Sequence, residues 1–335
     1  MNKARAIAHS NIALVKYWGK RAARPGEVDD LNLPAVGSLS MTLADLRTET
    51  VVSPGDSDSF TLNGEPVADS MATKVFRHLD RIWLATGASA ERPTCRVDSV
   101  NHLPTAAGLA SSASGFAALT LAGAGALGLQ ADPAVLSALA RRGSGSAARS
   151  LWGGFVRLDR GQLADGSDCR AYPIFPADHW PVRLLIVHTT RGKKALGSTA
   201  GMEESRQTSP YYGAWVDSSE ADLDAAQAAI AARDLTRIGT IMEHSMFKMH
   251  ACMLATRPPI LYWNGVTLEV IRALWAAREG GLRAYATSDA GPHVKVLCTA
   301  EAAPLVEAML RRVPGVLDVQ AVRPGPDASM EVLSS

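Results

Sequence analysis

The chain reads as a fold of mixed strands and helices, and three observations carry that reading. Leu39, Met41 and Leu43 alternate with Ser38, Ser40 and Thr42, the period-2 signature of a half-buried strand. From about Asp69 to Ala85, Met71, Val75, Phe76, Leu79, Ile82 and Trp83 recur at helical spacing. The last stretch runs strand 282–287, turn, strand 293–299, helix 301–312 and strand 316–322, an order that resembles part of a split βαβ layout.

Length and composition bound the answer further. The 335 residues suffice for one large or two ordinary domains with a substantial core. With 47% hydrophobic and 20% charged residues the composition is that of a globular protein, and no apolar run approaches a membrane span. No apolar segment follows the early basic residues, so no secretory leader is expected. Thirty-four Lys and Arg against 33 Asp and Glu leave a net charge of +1, and no basic-aromatic stripe is present. That balance argues against a nucleic-acid partner. Cys95, Cys169, Cys252 and Cys298 show no CxxC spacing, so neither a zinc site nor a disulfide framework is expected, and a reducing cytoplasm is the simplest setting.

In chain order, ARAIAHSNIALVKYWGKR passes from a short strand into a polar segment with Asn11, Lys16, Tyr17, Trp18, Lys20 and Arg21. A charged excursion containing Pro25-Gly26 follows, then the alternating strand and a second strand through Thr48, Thr50 and Val52. Phe60-Thr61-Leu62 before Asn63-Gly64 is the strongest hairpin signal in the chain. A strand through Cys95, Val97 and Ser99 feeds PTAAGLASSASG, after which FAALTLAGAGALGL is apolar nearly all round, as a central buried helix is. Asp132-Pro133 opens a helix to about Arg142. RRGSGSAARSLWGGFVRL then lies between a helix and an apolar strand, which disfavours a linker reading of its Gly-Ser run. Val182 to Val187 fits a buried strand. Helices are expected over about Ser219 to Ala232, Thr236 to Leu254 and VTLEVIRALWAAREGG.

Three places hold candidate chemistry. The stretch Pro104 to Gly115 sets small residues and Ser111-Ser112 between a strand and a helix start, where backbone N–H groups converge. The residues alone leave an anion cradle and a plain connector both open. Asp289, in a Ser-Asp-Ala-Gly-Pro turn, is either an Asx-turn residue or a carboxylate held near the phosphate loop to orient or deprotonate a hydroxyl. His244 and His250 share one helix but fall on different faces, so no metal site is expected.

Taken together, NIALVKYWGKR, LNLPAVGSLSMTL, NHLPTAAGLASSASGFAAL, RRGSGSAARSLWGGF, the GSTAGM segment, MHACMLATRPPILYWN and SDAGPHV resemble the diphosphomevalonate decarboxylase family of the GHMP kinase superfamily. The segments occur in that family's order and span nearly the whole chain. The resemblance implies a two-lobed α+β GHMP kinase fold, with a ribosomal-S5-like lobe over 1–180, a ferredoxin-like lobe over 181–335, and the active site between them. It implies conversion of ATP and mevalonate 5-diphosphate to ADP, phosphate, CO2 and isopentenyl diphosphate. Sibling activities, a mevalonate 3-kinase or a decarboxylase of the monophosphate, are the alternatives.

Residue by residue, the resemblance gives Ser111 and Ser112, with loop amides around Gly108 and Ala110, to the ATP phosphates. Asp289 would align or deprotonate the C3 hydroxyl, and Lys16 would bridge it to the transferring phosphoryl group. Arg149, assisted by Ser144 and Ser146, would hold the carboxylate that becomes CO2. Tyr17, Lys20, Ser198 and Thr199 would bind the 5-diphosphate, with Asn11 ordering the pocket. Mg²⁺ would arrive with the nucleotide rather than in a protein cage. Homodimers are common in the family, and no sequence feature marks the interface. The chain departs from the family at Ala8-His9, at Ala147-Ala148-Arg149-Ser150, at Ser288 and His293 around the Asp289 turn, and in a longer Arg21–Asp30 insertion. His293 would either alter the field near Asp289 or cap the turn.

Overall fold

The computed structural model describes residues 1–22, 31–68, 70–102, 111–192 and 196–334, with the Ser111 side chain outside the description. Gly108, Ala110 and most of the Arg21–Asp30 insertion therefore lie outside the described residues.

Two sheets form the frame. Strands β1 (Lys3–Val15) and β2 (Ser38–Pro54) are long antiparallel neighbours, with Ala4 opposite Val52 and Val15 opposite Leu39. Their register shifts between His9 and Asn11 and again between Ala13 and Val15. Such irregularities re-aim side chains, and these two fall beside Asn11 and Lys16. β5 (Cys95–His102) continues the sheet, followed by the hairpin of β3 (Ser59–Leu62) and β4 (Glu65–Pro66). Its turn places Asn63 and Gly64 at φ of 53° and 84°, the left-handed geometry that the Asn-Gly pair favours. β6 (Phe155–Leu158) pairs with β2 and with β7 (Ala171–Phe175).

Helix α1 (Ser70–Ala85) covers the sheet through Val75, Leu79 and Ile82. α2 (Ser111–Leu127) is the central helix, with Ala113, Ala117, Ala118 and Ala122 all at 0% exposure. Its small residues permit close approach: a side chain at Gly123 would run into Leu79 and Ile82. α3 (Pro133–Gly143) leads into a 3₁₀ helix, Gly145–Leu151, which is where the Gly-Ser run goes.

The second sheet has the order β11 (Asp318–Val322), β8 (Val182–His188), β10 (Val294–Thr299), β9 (Tyr285–Ser288), all antiparallel. Around it lie α4 (Ser198–Thr208), α5 (Tyr212–Ala231), α6 (Leu235–Leu254), α7 (Gly265–Glu279) and α8 (Ala303–Leu310). α7 opens on a capping box, in which Asn264 Oδ1 accepts from the Thr267 N–H at 2.8 Å. Such a cap contributes about 1 kcal/mol. One core cluster joins Ile12, Leu14, Leu39 and Met41 of the first sheet to Leu184, Ile186, Leu223 and Met242 of the second half. The final strand, β12 (Ser329–Leu333), returns to pair with β1, Lys3 opposite Leu333.

Three expectations are corrected. Leu39, Met41 and Leu43 are buried, but so are Ser38, Ser40 and Thr42, so β2 is covered on both faces rather than half-buried. Its polar face is capped by Arg149, which donates to Ser38 Oγ, and by the Trp152 carbonyl, which accepts from Thr42. The two expected strands there are one continuous strand. α5 begins at Tyr212 rather than Ser219, because Trp215 Nε1 donates to the Trp18 carbonyl at 2.9 Å and anchors an extra two turns. Among the described residues no helix is long and apolar enough to cross a membrane.

Candidate active site

Asp289 follows directly on β9, and its carboxylate lies between two ammonium groups. Lys16 Nζ stands 2.7 Å from Oδ1 and Lys295 Nζ 3.0 Å from Oδ2. The Lys16 side chain is fully buried, whereas that of Asp289 is 38% exposed. Lys16 also donates to the Ala13 carbonyl at 2.9 Å, and its backbone N–H donates to Ser245 Oγ on α6 at 3.0 Å. Partial burial raises the Asp289 pKa, but the charges and hydrogen bonds of Lys16 and Lys295 outweigh it and hold the carboxyl well below the usual range. Burial pulls the Lys16 ammonium down to about 8; Asp289 opposes this, while Lys295 and Arg149 reinforce it.

The second group is built on the 3₁₀ helix. Arg149 Nη1 donates to Ser38 Oγ at 2.6 Å, and Nε and Nη2 both reach Asn11 Oδ1, at 3.3 and 3.2 Å. Asn11 is oriented in turn by donating to the Ser146 carbonyl and to Ser150 Oγ. The guanidinium lies 5.9 Å from the Tyr17 ring centre. Burial lowers the Arg149 pKa to about 10, so the group stays charged at neutral pH. Among the described residues its direct hydrogen-bond partners are neutral. A buried cation held by neutral acceptors is primed for a planar anion.

Gly145 has a packing reason: a side chain there would overlap the Tyr17 hydroxyl. Beside it, Ser144 Oγ lies 3.4 Å from both Ser112 Oγ and Ser146 Oγ. This hydroxyl row joins the opening of α2 to the end of α3. Among the described residues no group of three or more His, Cys, Asp or Glu could hold a metal ion. Both oxygens of the Asp289 carboxylate are engaged by lysines.

The remaining sequence candidates spread outward. Lys20 bridges to Pro34, and burial lowers its pKa. The preceding Gly19, at φ 95°, makes room for the Tyr212 ring, whose hydroxyl donates to the Lys20 carbonyl. A cavity of about 490 Å³ beside Lys20 is lined with Arg21, Arg160 and Arg206. Ser198 and Thr199 open α4, and Thr199 is exposed. Trp18, next to Tyr17, donates to Ser205 Oγ and so ties that helix to the site. Gly108, Ala110 and the Ser111 side chain lie outside the described residues. His250 is buried against Trp263, whereas His244 is exposed. Burial, with Lys16 nearby, takes His250 down to about 3, despite contacts with the Ser288 and Asp289 backbone. His293 Nδ1 accepts from the Thr189 N–H at 3.2 Å, so it pins the turn.

Sequence reasoning missed Lys295, Ser38, Ser150 and Ser245. A lysine inside the apolar run Val294-Lys295-Val296-Leu297 was the one available signal, since a buried strand holds a charge only against a partner. The serines gave no signal, because their partners are remote in sequence.

Comparison with known proteins follows the same geometry. Residues 8–171 match the diphosphomevalonate decarboxylase-like N-terminal domain, and residues 184–325 the mevalonate 5-diphosphate decarboxylase C-terminal domain. The diphosphomevalonate decarboxylase of Gibberella zeae is 40% identical over 309 residues, covering 87% of this chain and 79% of that protein. The mevalonate diphosphate decarboxylase structure from Staphylococcus aureus superposes with a TM-score of 0.89 at 33% identity over 98% of each chain. A structure of MDDEF in complex with MVAPP, AMPPCP and magnesium gives 0.88 at 35% identity over 99% of each chain. The neighbours share the GHMP kinase fold, and this chain belongs to the diphosphomevalonate decarboxylase family.

Proposed function

We propose that this protein decarboxylates mevalonate 5-diphosphate at the expense of ATP, releasing ADP, phosphate, CO2 and isopentenyl diphosphate. The observation that carries the reading is the pairing of an ionised Asp289, bridged to Lys16, with a buried Arg149 whose direct partners among the described residues are neutral. The two groups match the two ends of one reaction. Asp289 orients the C3 hydroxyl and accepts its proton as that oxygen bonds to the γ-phosphorus, while the bond from that phosphorus to the β–γ bridging oxygen breaks and ADP leaves. Lys16 lies where the transferring phosphoryl charge develops. Arg149 offers its fork to the C1 carboxylate, with Ser144 and Ser146 beside it. The C1–C2 bond then breaks to CO2, its electrons form the C2–C3 double bond, and phosphate departs from C3 with the C–O pair. Fixed cations offset the charge that moves with it.

Tyr17, Lys20, Ser198 and Thr199 face the 5-diphosphate in this reading, and Asn11 aligns Arg149. Ser112, Ser111 and the amides around Gly108 and Ala110 take the ATP phosphates. Mg²⁺ bound to the nucleotide would neutralise part of that phosphate charge. In this reading the lobe boundary falls near residue 180 and the substrate binds between the lobes, with β12 returning to pair with β1. The four cysteines are free and buried, which supports a reducing cytoplasmic setting. A homodimer belongs to the same proposal and is tested by sedimentation.

Incubation with ATP, Mg²⁺ and mevalonate 5-diphosphate should yield ADP and CO2 in equal amounts. ADP without CO2 would make the protein a 3-kinase, and turnover of the monophosphate alone would move the substrate assignment.

A further inference from the structure

Lys295 sits on β10 opposite Thr287 of β9 and Ile186 of β8, and the residue is 4% exposed. Val294, Val296 and Cys298 enter the core against α7 and α8, while Leu297 enters the other core with Leu184 and Ile186. By strand alternation Lys295 shares the face of Leu297, where an apolar residue is the norm. A buried ammonium is costly unless paired, and Lys295 Nζ meets Asp289 Oδ2 at 3.0 Å. Yet Lys16 already neutralises that carboxylate through Oδ1. Two buried ammoniums on one carboxylate leave a surplus positive charge, which a purely structural ion pair would not need.

We propose that Lys295 is a positioning residue of the active site, fixing the second carboxylate oxygen of Asp289 and placing a second positive charge beside Lys16. The proposal rests on the decarboxylase reading for its chemical purpose: with both oxygens held, Asp289 cannot rotate away from the C3 hydroxyl, and the surplus charge meets the transferring phosphoryl group. The charged and titratable groups around it are Lys16 after β1, Asp289 and His293 in the turn, Arg149 on the 3₁₀ helix, His250 on α6 and His188 on β8. Burial lowers Lys16 to about 8, and Lys295 helps push it down. Removing Lys295 should raise both Lys16 and Asp289. The alkaline limb of kcat/KM, where Lys16 loses its proton, then moves up, by about one unit.

The test compares wild type, Lys295→Met and Lys295→Arg. Lys295→Met should lower kcat about 10- to 100-fold, with a smaller change in KM for ATP, and shift the alkaline limb upward. Lys295→Arg should return the limb to its wild-type position. In parallel, lysine side chains labelled with ¹³C at Cε are titrated by NMR without substrate, and the Lys16 transition should move the same way. Lys295→Gln, which keeps a donor and removes only the charge, replaces the Met variant if that fails to melt like wild type. An activity loss with an unmoved limb, or a Lys16 titration that stays put or falls, overturns the proposal. Because the NMR titration needs no turnover, it is read even if wild type releases no CO2, so failure of the functional reading is a separate result.

Discussion

The hydroxyl row at the opening of α2 and the charge cluster at the β9–β10 turn are both polar, yet they are built in opposite ways. In the row, Ser112 is exposed and the Oγ–Oγ distances of 3.4 Å stand at the edge of hydrogen bonding. In the cluster the contacts are 2.7 and 3.0 Å, and Lys16 is fully buried with a carbonyl and a serine holding it. The clamp extends outward: Thr189 and Thr267 both donate to the Pro292 carbonyl, tying the turn to β8 and to the cap of α7. The lesson is a division of labour. In the proposed reaction a loose row would adapt to the nucleotide phosphates, whereas the chemistry needs charges fixed before the substrate arrives.

That contrast is broken most severely at Asp289. Asp289→Asn keeps the shape and leaves Lys16 and Lys295 facing a neutral amide. The expected loss in kcat is about 10²- to 10⁴-fold. Without its carboxylate, Lys16 should also titrate below its present value of about 8, since Asp289 is the partner that opposes the effect of burial. Single-turnover ADP release checks the first point. Near wild-type turnover would remove Asp289 from the mechanism.

Arg149→Lys is the next largest. The guanidinium holds Ser38 and Asn11 together by its fork, and a lysine ammonium cannot reproduce that planar set. The expected drop in kcat/KM is about 10- to 100-fold, the worth of one charge-assisted contact. If steady-state assays gave wild-type values, the carboxylate would have to be held elsewhere.

How much of this was legible in the sequence follows from where each partner lies. The turn residues around Asp289 left an Asx-turn role and a functional carboxylate both open, and only the family resemblance gave it a role beside Lys16 and Arg149. Lys295 was hidden because an apolar run reads as a strand whichever residue interrupts it. The double burial of β2 was invisible because Arg149, which covers Ser38, lies 111 positions away. β12 escaped notice for a related reason: it is mostly exposed, so its residues carry no core pattern, and only pairing with β1 makes it a strand. Local periodicity found most of the helices but not α4, whose polar sequence carries little apolar pattern, and coverage of polar faces by remote segments lay beyond it.

The smallest effect is expected where the contrast is softest. Ser144→Ala removes the hydroxyl that lies midway between Ser112 and Ser146, but no short hydrogen bond is lost. A hydrogen bond of this kind is worth about 0.5–1.5 kcal/mol, so kcat/KM should fall only a few-fold. The helix end itself should survive, because the Ser144 N–H still donates to the Ala140 carbonyl at 3.0 Å. Ser144→Ala and Ser146→Ala combined should cost more than the sum of the singles if the row binds a ligand as a unit, since either hydroxyl alone can turn toward it. Strict additivity in a double-mutant cycle would show the two serines acting independently. A loss from Ser144→Ala as large as that from Arg149→Lys would overturn the contrast, and place the row among the fixed elements of the chemistry.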